Sequence, residues 1–239
     1  MSDSTIPFPP ISLIIPTLDE QDRIAATLDA LESAVAGRNV EVIVADGGSR
    51  DRTVEIVRGF GSVRAVECGR AGRGFQMNAG AAAARAQTLL FLHADVTIPG
   101  DALDAIARSL ADERIAGGCF EIRFPAESPR SLRLVAWGIN LRTRWFRTAT
   151  GDQGIFVRRD VFDAIGGYRE IPLMEDIALF DKMKRRGRVA ILPARIEISP
   201  RRWLRHGIWR TVLLMYALRI GHWIGIPPVT LKRWFIDVR

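Results

Sequence analysis

Apolar and polar positions alternate between two rhythms along the N-terminal part of the chain. A short β-branched run at residues 11–15, ended by Pro16, predicts a strand. Residues 20–35 carry Ile24, Leu28, Leu31 and Val35 on one stripe, the spacing of an amphipathic helix. A second strand is predicted at 40–45, closed by Asp46-Gly47-Gly48-Ser49, and a second helix at 53–60. A weak strand at 63–66, a helix of small residues at 74–86 and a wholly apolar strand at 89–92 follow. His93-Ala94-Asp95 stands at the C-terminal end of that last strand. This β-α-β-α-β-α-β order predicts an α/β fold, with a mostly parallel sheet covered by helices on both faces. Ligands in such sheets bind beyond the carboxyl ends of the strands. The polar clusters at 17–20, 46–51 and 93–95 all fall at such ends.

From about Gly117 the rhythm changes. A strand is predicted at 118–124 and a helix at 132–146, the latter carrying Arg133, Arg142 and Arg144. A glycine-flanked loop runs into a strand at 151–157, and a helix at 174–186 opens with Glu175 and Asp176. After Pro200 comes a basic, Trp-rich tail, so the expected organisation is one domain over 1–200 and a helical extension over 201–239.

With 239 residues and 48% hydrophobic positions, the chain has enough apolar material for a core, which excludes wholesale disorder. The net charge of +7 is localised. Residues 1–194 hold 25 basic and 25 acidic side chains; residues 195–239 hold nine basic ones against Glu197 and Asp237. A neutral body with a basic, apolar tail points to an anionic partner, either a bilayer surface or a phosphorylated substrate. The neutral body, without a basic sheet face studded with aromatics, argues against a nucleic-acid-binding module. Cys68 and Cys119 have no metal-type spacing and form no disulfide scaffold, so free thiols in a reducing cytoplasm are expected. Residues 1–10 lack the pattern of a signal peptide.

The apolar stretch 211–226 has 16 residues and includes Arg219 and His222, too short and too polar for a membrane span. Trp203, Trp209, Trp223 and Trp234 recur along the tail, with Arg201, Arg202, Arg205 and Arg210 nearby. That combination suits peripheral contact with an anionic inner leaflet. The alternative is that the tail packs on the sheet. Oligomeric state is not readable from the sequence.

Several clusters carry candidate chemistry. Asp46, directly after a strand and before two glycines, can bond a base or ribose, or can serve a plain turn; Asp51 is placed to cap the next helix. Gly72-Arg73-Gly74-Phe75-Gln76-Met77-Asn78 lacks the third glycine of a dinucleotide fingerprint and is no P-loop. Arg73 and Asn78 at a helix start can still meet phosphate or a nucleoside. His93 and Asp95, two apart, can face one hard divalent ion, Mg²⁺ or Mn²⁺, that neutralises a diphosphate leaving group. Glu175-Asp176 can supply a general base or merely suit a helix N-terminus. Gly151-Asp152-Gln153-Gly154 is a further polar loop.

Together these residues resemble the family 2 glycosyltransferases of the GT-A fold. Ile14-Ile15-Pro16-Thr17-Leu18-Asp19-Glu20 is similar to that family's first-strand signature and Asp46-Gly47-Gly48-Ser49-Arg50-Asp51 to its second. His93-Ala94-Asp95 sits where the family carries its D-x-D metal motif, and Met174-Glu175-Asp176 resembles its E-D motif. The G-R-G-x-Q-M-N, L-H-A-D and G-D-Q-G variants resemble a bacterial subgroup labelled arsenosugar-biosynthesis or radical-SAM-associated. The resemblance implies a Rossmann-like nucleotide-binding half and a nucleotide-sugar donor, with an acceptor it does not identify. It assigns Pro16, Thr17, Glu20, Asp46, Arg73 and Asn78 to the nucleotide, Asp95 to the metal with His93 as a weaker candidate, and Asp176 to base catalysis. Gly151, Asp152, Gln153, Glu175, Arg202 and Trp203 would frame the acceptor side. It implies inversion at the anomeric carbon. Two departures stand out: His93 replaces the first Asp of D-x-D, and Arg201-Arg202-Trp203 lacks the preceding Gln of Q-x-x-R-W. A nucleotidyltransferase on a related sheet is the alternative enzyme. It needs a basic, Gly-rich loop after the first strand, where this chain has Pro16-Thr17-Leu18-Asp19-Glu20.

Overall fold

The computed structural model describes residues 10–235. The expectations drawn from residues 1–9 and from Asp237 lie outside that span. The chain runs β1 (Ile11–Thr17), α1 (Ile24–Val35), β2 (Val40–Asp46), α2 (Thr53–Arg58), β3 (Val63–Glu67), α3 (Arg73–Ala83) and β4 (Thr88–Phe91). It continues through β5 (Val96–Thr97), α4 (Ala102–Leu110), β6 (Ile115–Arg123), α5 (Arg130–Phe146), β7 (Ile155–Arg158), α6 (Arg159–Ala164) and α7 (Glu175–Lys184). It closes with β8 (Arg188–Ile198), α8 (Arg201–His206), α9 (Ile208–Trp223) and α10 (Pro228–Trp234).

The strands form one sheet in the order β3-β2-β1-β4-β7-β6-β8-β5. β3, β2, β1 and β4 run parallel, β7 enters antiparallel beside β4, and β6 and β8 are parallel to each other. Successive residues of β1 face opposite sides. Leu13 and Ile15 join a core with Ile24 and Leu28 of α1 and Leu103 of α4. Ile14 joins a second core with Met77 of α3 and Phe180 of α7. Both faces are therefore covered, as the apolar strands require.

The small residues of α3 have a packing cause. A Cβ on Gly80 would lie 2.4 Å from Ile14 Cγ2, and one on Gly74 would lie 2.5 Å from the Arg169 carbonyl oxygen. At these two positions the helix lies so close to β1 and to the Tyr168-Arg169 segment that a side chain does not fit.

The structure departs from the sequence expectation at several points. β1 continues past Pro16, because its pairing with β4 ends at Ile14 and Phe91, which leaves the missing N–H unneeded, while Pro16 and Thr17 still pair with Ala45 and Asp46 of β2. Helix α1 starts at Ile24 rather than near Glu20, since the N–H groups of Asp19, Glu20 and Gln21 bond to Ser49, Thr53 and Asp51 across the β2–α2 loop. β8 went unread because Pro193 interrupts its apolar pattern. A bulge absorbs the proline: Phe120 pairs with Leu192 but Glu121 with Arg195.

Candidate active site

The register of the sheet assembles the site. Thr17 and Asp46 end β1 and β2 side by side, and the Thr17 hydroxyl donates to Asp46 Oδ1 at 3.1 Å. Asp46 also accepts the Ser49 hydroxyl and, at Oδ2, the N–H groups of Gly48 (2.9 Å) and Ser49 (2.8 Å). Four donors fill the four acceptor positions of a carboxylate. Asp46, 2% exposed, thus fixes the Gly47-Gly48-Ser49 turn from inside. Gln76 of α3 secures the same region. Its amide donates to the carbonyls of Thr17 (2.7 Å) and Ala45 (2.9 Å) and accepts the Gly72 N–H (3.2 Å). Asn78 exchanges both its amide groups with the backbone of Tyr168, each at 2.9 Å, and so ties α3 to the 168 loop. Asp51 accepts the Thr53 N–H and hydroxyl but is not the N-cap of α2, which is Arg52.

In front of this scaffold lies a polar cavity of about 340 Å³. Pro16, Thr17, Glu20, Arg23, Arg73, Gln76, His93, Asp95, Arg202 and Lys232 are among its walls; Asp46 and Asn78 are not.

A second cavity, of about 350 Å³, adjoins it and shares Arg23, Arg73, His93, Asp95 and Arg202. Its own walls are largely apolar or aromatic, with Gly151, Asp152, Glu175 and Asp176 on the floor and Trp203 at the side. β7 pairs antiparallel with β4, Ile155 against Phe91, so the 151–153 turn sits beside His93. The fit is close: a Cβ on Gly151 would lie 2.4 Å from His93 Nε2. Gln153, fully buried, holds the turn from behind through Thr150, Thr143 and the Phe120 carbonyl rather than facing the cavity. β5 pairs with β8, Val96 against Ile198, which brings residues 199–203 next to Asp95. Trp203 then stacks edge-on against Phe124 at 5.9 Å.

Met174 precedes the two acids in a left-handed conformation, φ 68°. Such a backbone costs about 1–3 kcal/mol in a non-glycine residue and is concentrated at functional sites. It turns Glu175 and Asp176 toward the cavity. Asp176 Oδ2 accepts the Gly151 N–H at 2.6 Å and Oδ1 accepts its neighbour's N–H, Ile177, at 2.7 Å. Each oxygen keeps acceptor capacity.

Burial raises Asp176 above the usual carboxylate range, against the pull of those two N–H groups. Burial, with the Asp176 charge adding, pushes Glu175 up to about 7. Burial and then the Arg73 and Arg202 charges hold His93 well below its ordinary value, so its imidazole is neutral. Asp95 is open to the cavity at its surface yet closely surrounded by protein, and burial with the Asp152 charge raises it. Arg73, Arg202 and Arg23 pull it back.

A model of the family described as "Glycosyl transferase family 2" matches residues 12–170. The chain belongs to glycosyl transferase family 2. No curated protein matches it. Solved structures do. S. aureus TarS, residues 1–349, superposes at TM-score 0.65 with 19% identity over 80% of this chain and 61% of that one. A Pyrobaculum calidifontis mannosyltransferase in complex with GDP-Man and Mn²⁺ gives 0.60 and 21% over 79% and 56%. Glucosyl-3-phosphoglycerate synthase from Mycobacterium tuberculosis, with Mn²⁺ and UDP, gives 0.57 and 20% over 78% and 70%. The chain thus spans about three fifths of the first two. The fold is GT-A.

Within this member of glycosyl transferase family 2, sequence reading missed Gln76, Arg23, Lys232, Arg142 and Arg219 as cavity-lining residues. A signal existed for two of them. Arg219 interrupts the apolar 211–226 run, and Arg142 lies on the buried side of α5 beside Asn140 and Thr143. Charges in such places are rare without a purpose. Lys232 had none, because its approach depends on how α10 folds back. Among the described residues no three His, Cys, Asp or Glu side chains cluster to hold a metal unaided. The donors present are one carboxylate, Asp95, and the neutral His93. They fit a hard ion that takes most of its oxygens from a bound diphosphate and water.

Proposed function

We propose that this glycosyltransferase moves a sugar from a nucleotide-sugar, UDP-linked in the reading we favour, to an acceptor hydroxyl with inversion. One observation carries the reading: two cavities share a wall at Asp95, and Asp176 lines only the second. The nucleotide belongs in the polar cavity. Pro16, Thr17 and Glu20 border the nucleoside, and Arg73 and Arg202 meet the diphosphate. Asp46 and Asn78 act one step back, by fixing the loops that touch it. Asp95 would hold a divalent ion, Mn²⁺ or Mg²⁺, which supplies charge neutralisation to the leaving diphosphate. TarS structures with UDP and with UDP-GlcNAc are consistent with a uridine donor.

The acceptor enters the second cavity. The Asp176 carboxylate takes the hydroxyl proton as the acceptor oxygen bonds to the anomeric carbon. The bond from that carbon to the diphosphate oxygen breaks in the same displacement. One carboxylate suffices, and no covalent enzyme intermediate forms. Two backbone N–H groups aim the base, and enclosure keeps its proton affinity high enough to act. The narrower resemblance to the arsenosugar or radical-SAM-associated subgroup rests on the motif variants alone.

We read 201–235 as an extension that completes the site, since Leu218 and Leu231 pack with Leu173, Met174 and Ile177 around the two acids. Its outer face stays apolar: Trp223 is 86% and Leu213 72% exposed. With Arg205 and Arg210 alongside, that face suits the anionic inner surface of a membrane, from a cytoplasmic site. Among the described residues no helix is long and apolar enough to cross a bilayer. Salt-sensitive co-sedimentation with anionic but not neutral liposomes tests this contact.

The donor reading is tested by incubating the protein with UDP- and GDP-sugars and following nucleoside diphosphate release with and without chelator. Chelator-sensitive release from one donor is expected. No release from any sugar nucleotide overturns it.

A further inference from the structure

Arg142 of α5 and Arg219 of α9 both line the apolar cavity, and neither lines the polar one. Their pairing is unusual. Arg142 makes a single side-chain hydrogen bond, a long one of 3.3 Å to Gln153 Oε1, and its Nε has no partner. Arg219 makes no hydrogen bond or ion pair among the described residues, and its Nη2 is likewise buried without a partner. Asp152 and Asp176 face both guanidiniums from the floor, yet neither comes within ion-pair distance, and Asp152 Oδ1 is itself unpartnered.

The two cations also disfavour each other: burial, then the Arg219 charge, lowers Arg142 to about 10. A neutral side chain would serve the Gln153 contact as well. Two enclosed, under-bonded guanidiniums cost stability unless something anionic completes them.

The surroundings define what that is. Trp137, Trp209, Met215 and Tyr216 give the same cavity an apolar wall. Glu175 and Asp176 disfavour an anion beside them, so an anion in this cavity belongs with Arg142 of α5 and Arg219 of α9. Arg73 and Arg202 remain on the polar side for the donor's diphosphate. Two guanidiniums present forked donors that match a tetrahedral oxyanion better than they match a hydroxyl.

We propose that Arg142 and Arg219 form an anion subsite for the acceptor, which carries a phosphate-type group near its reacting hydroxyl and an apolar body against Trp137, Trp209 and Tyr216. The inference rests on the donor and acceptor cavities assigned above. It places the acceptor among amphiphilic phosphate esters, whether a phospholipid headgroup or a soluble organic phosphate.

Binding decides it without turnover. Octyl phosphate, below its micelle concentration, is titrated into the full chain, with octanol as the uncharged control. Octyl phosphate should bind and octanol should bind at least about tenfold more weakly, the cost of losing charge-assisted hydrogen bonds. Arg142→Gln and Arg219→Gln should each lose the preference, and Arg219→Lys should keep part of it. Nucleoside diphosphate binding in the same samples should not change. Equal affinity for octyl phosphate and octanol, or unchanged affinity in both Gln variants, overturns the subsite. If nucleoside diphosphate binding fails while octyl phosphate binding survives, the donor reading falls and the subsite stands. Phosphatidic acid vesicles and glycerol phosphate as competitors separate the sources. Displacement by vesicles assigns a lipid headgroup, and displacement by glycerol phosphate assigns a soluble ester. Displacement by neither contradicts the acceptor class.

Discussion

The two cavities meet at Asp95 but treat their polar groups in opposite ways. Behind the polar one, Asp46 accepts four hydrogen bonds, Gln76 makes three and Asn78 two, all with protein partners. Around the apolar one, Asp152, Arg142 and Arg219 each bury a polar atom with no partner, and Met174 holds a left-handed backbone. The first region is a finished frame that presents backbone and a few side chains to a ligand. The second leaves buried polar atoms that the protein itself does not pair. Stability should therefore depend on the donor side, and turnover on the acceptor side.

That contrast is breakable, starting with the largest effect. Asp176→Asn should lower transfer by about 10²–10⁴-fold with only a modest loss of Tm, because it removes a base, while relief of the buried charge offsets the amide N–H₂ meeting one of the two backbone N–H groups that Asp176 accepts. Kinetics beside a melting curve check it; an equal loss of stability would make Asp176 part of the frame. Asp46→Asn turns an amide N–H₂ toward groups that are themselves donors. It should destabilise by about 1–3 kcal/mol and weaken nucleotide binding as a consequence. Denaturant unfolding reads this directly, and a stable variant with weak binding would instead make Asp46 a direct ligand. Gln76→Ala should cost a similar, slightly smaller amount, since it leaves the Thr17 and Ala45 carbonyls and the Gly72 N–H unpaired.

The smallest effect carries a pH signature. Glu175 is raised from 4.5 to about 7 in the folded chain. The folded state therefore holds a proton that the unfolded state has released, and stability falls as pH rises across that window. Glu175→Gln should raise Tm by a few degrees at pH 8 and change it little at pH 5. A gain of the same size at both values would contradict the buried, proton-holding carboxyl.

Much of the frame was legible because it is written in local pattern. The strand at 40–45 and the helix stripe of Ile24, Leu28 and Leu31 need only hydrophobic spacing. The order of polar clusters at strand ends then located the site. Roles were harder to read. Asp46 and Asn78 look like ligands in a line of letters, and only the fold reveals how fully the protein itself occupies them. The rest of the site depends on long-range contacts: α9 meeting α5 around the apolar cavity, and α10 folding back and β5 pairing β8 to bring Lys232 and Arg202 to the polar one. No local spacing encodes these. The strand at Arg188–Ile198 was hidden by one proline and one bulge.

The central claim is that Asp95 belongs to donor binding and Asp176 to chemistry. Calorimetric titration of UDP with Mn²⁺ into the wild type, Asp95→Ala and Asp176→Asn tests it most directly. The account predicts saturable binding in the wild type, near-equal affinity in Asp176→Asn, and a loss of about tenfold or more in Asp95→Ala, as expected when a ligand to a diphosphate-bound ion is removed. Equal affinity in all three proteins, or a loss confined to Asp176→Asn, would contradict it.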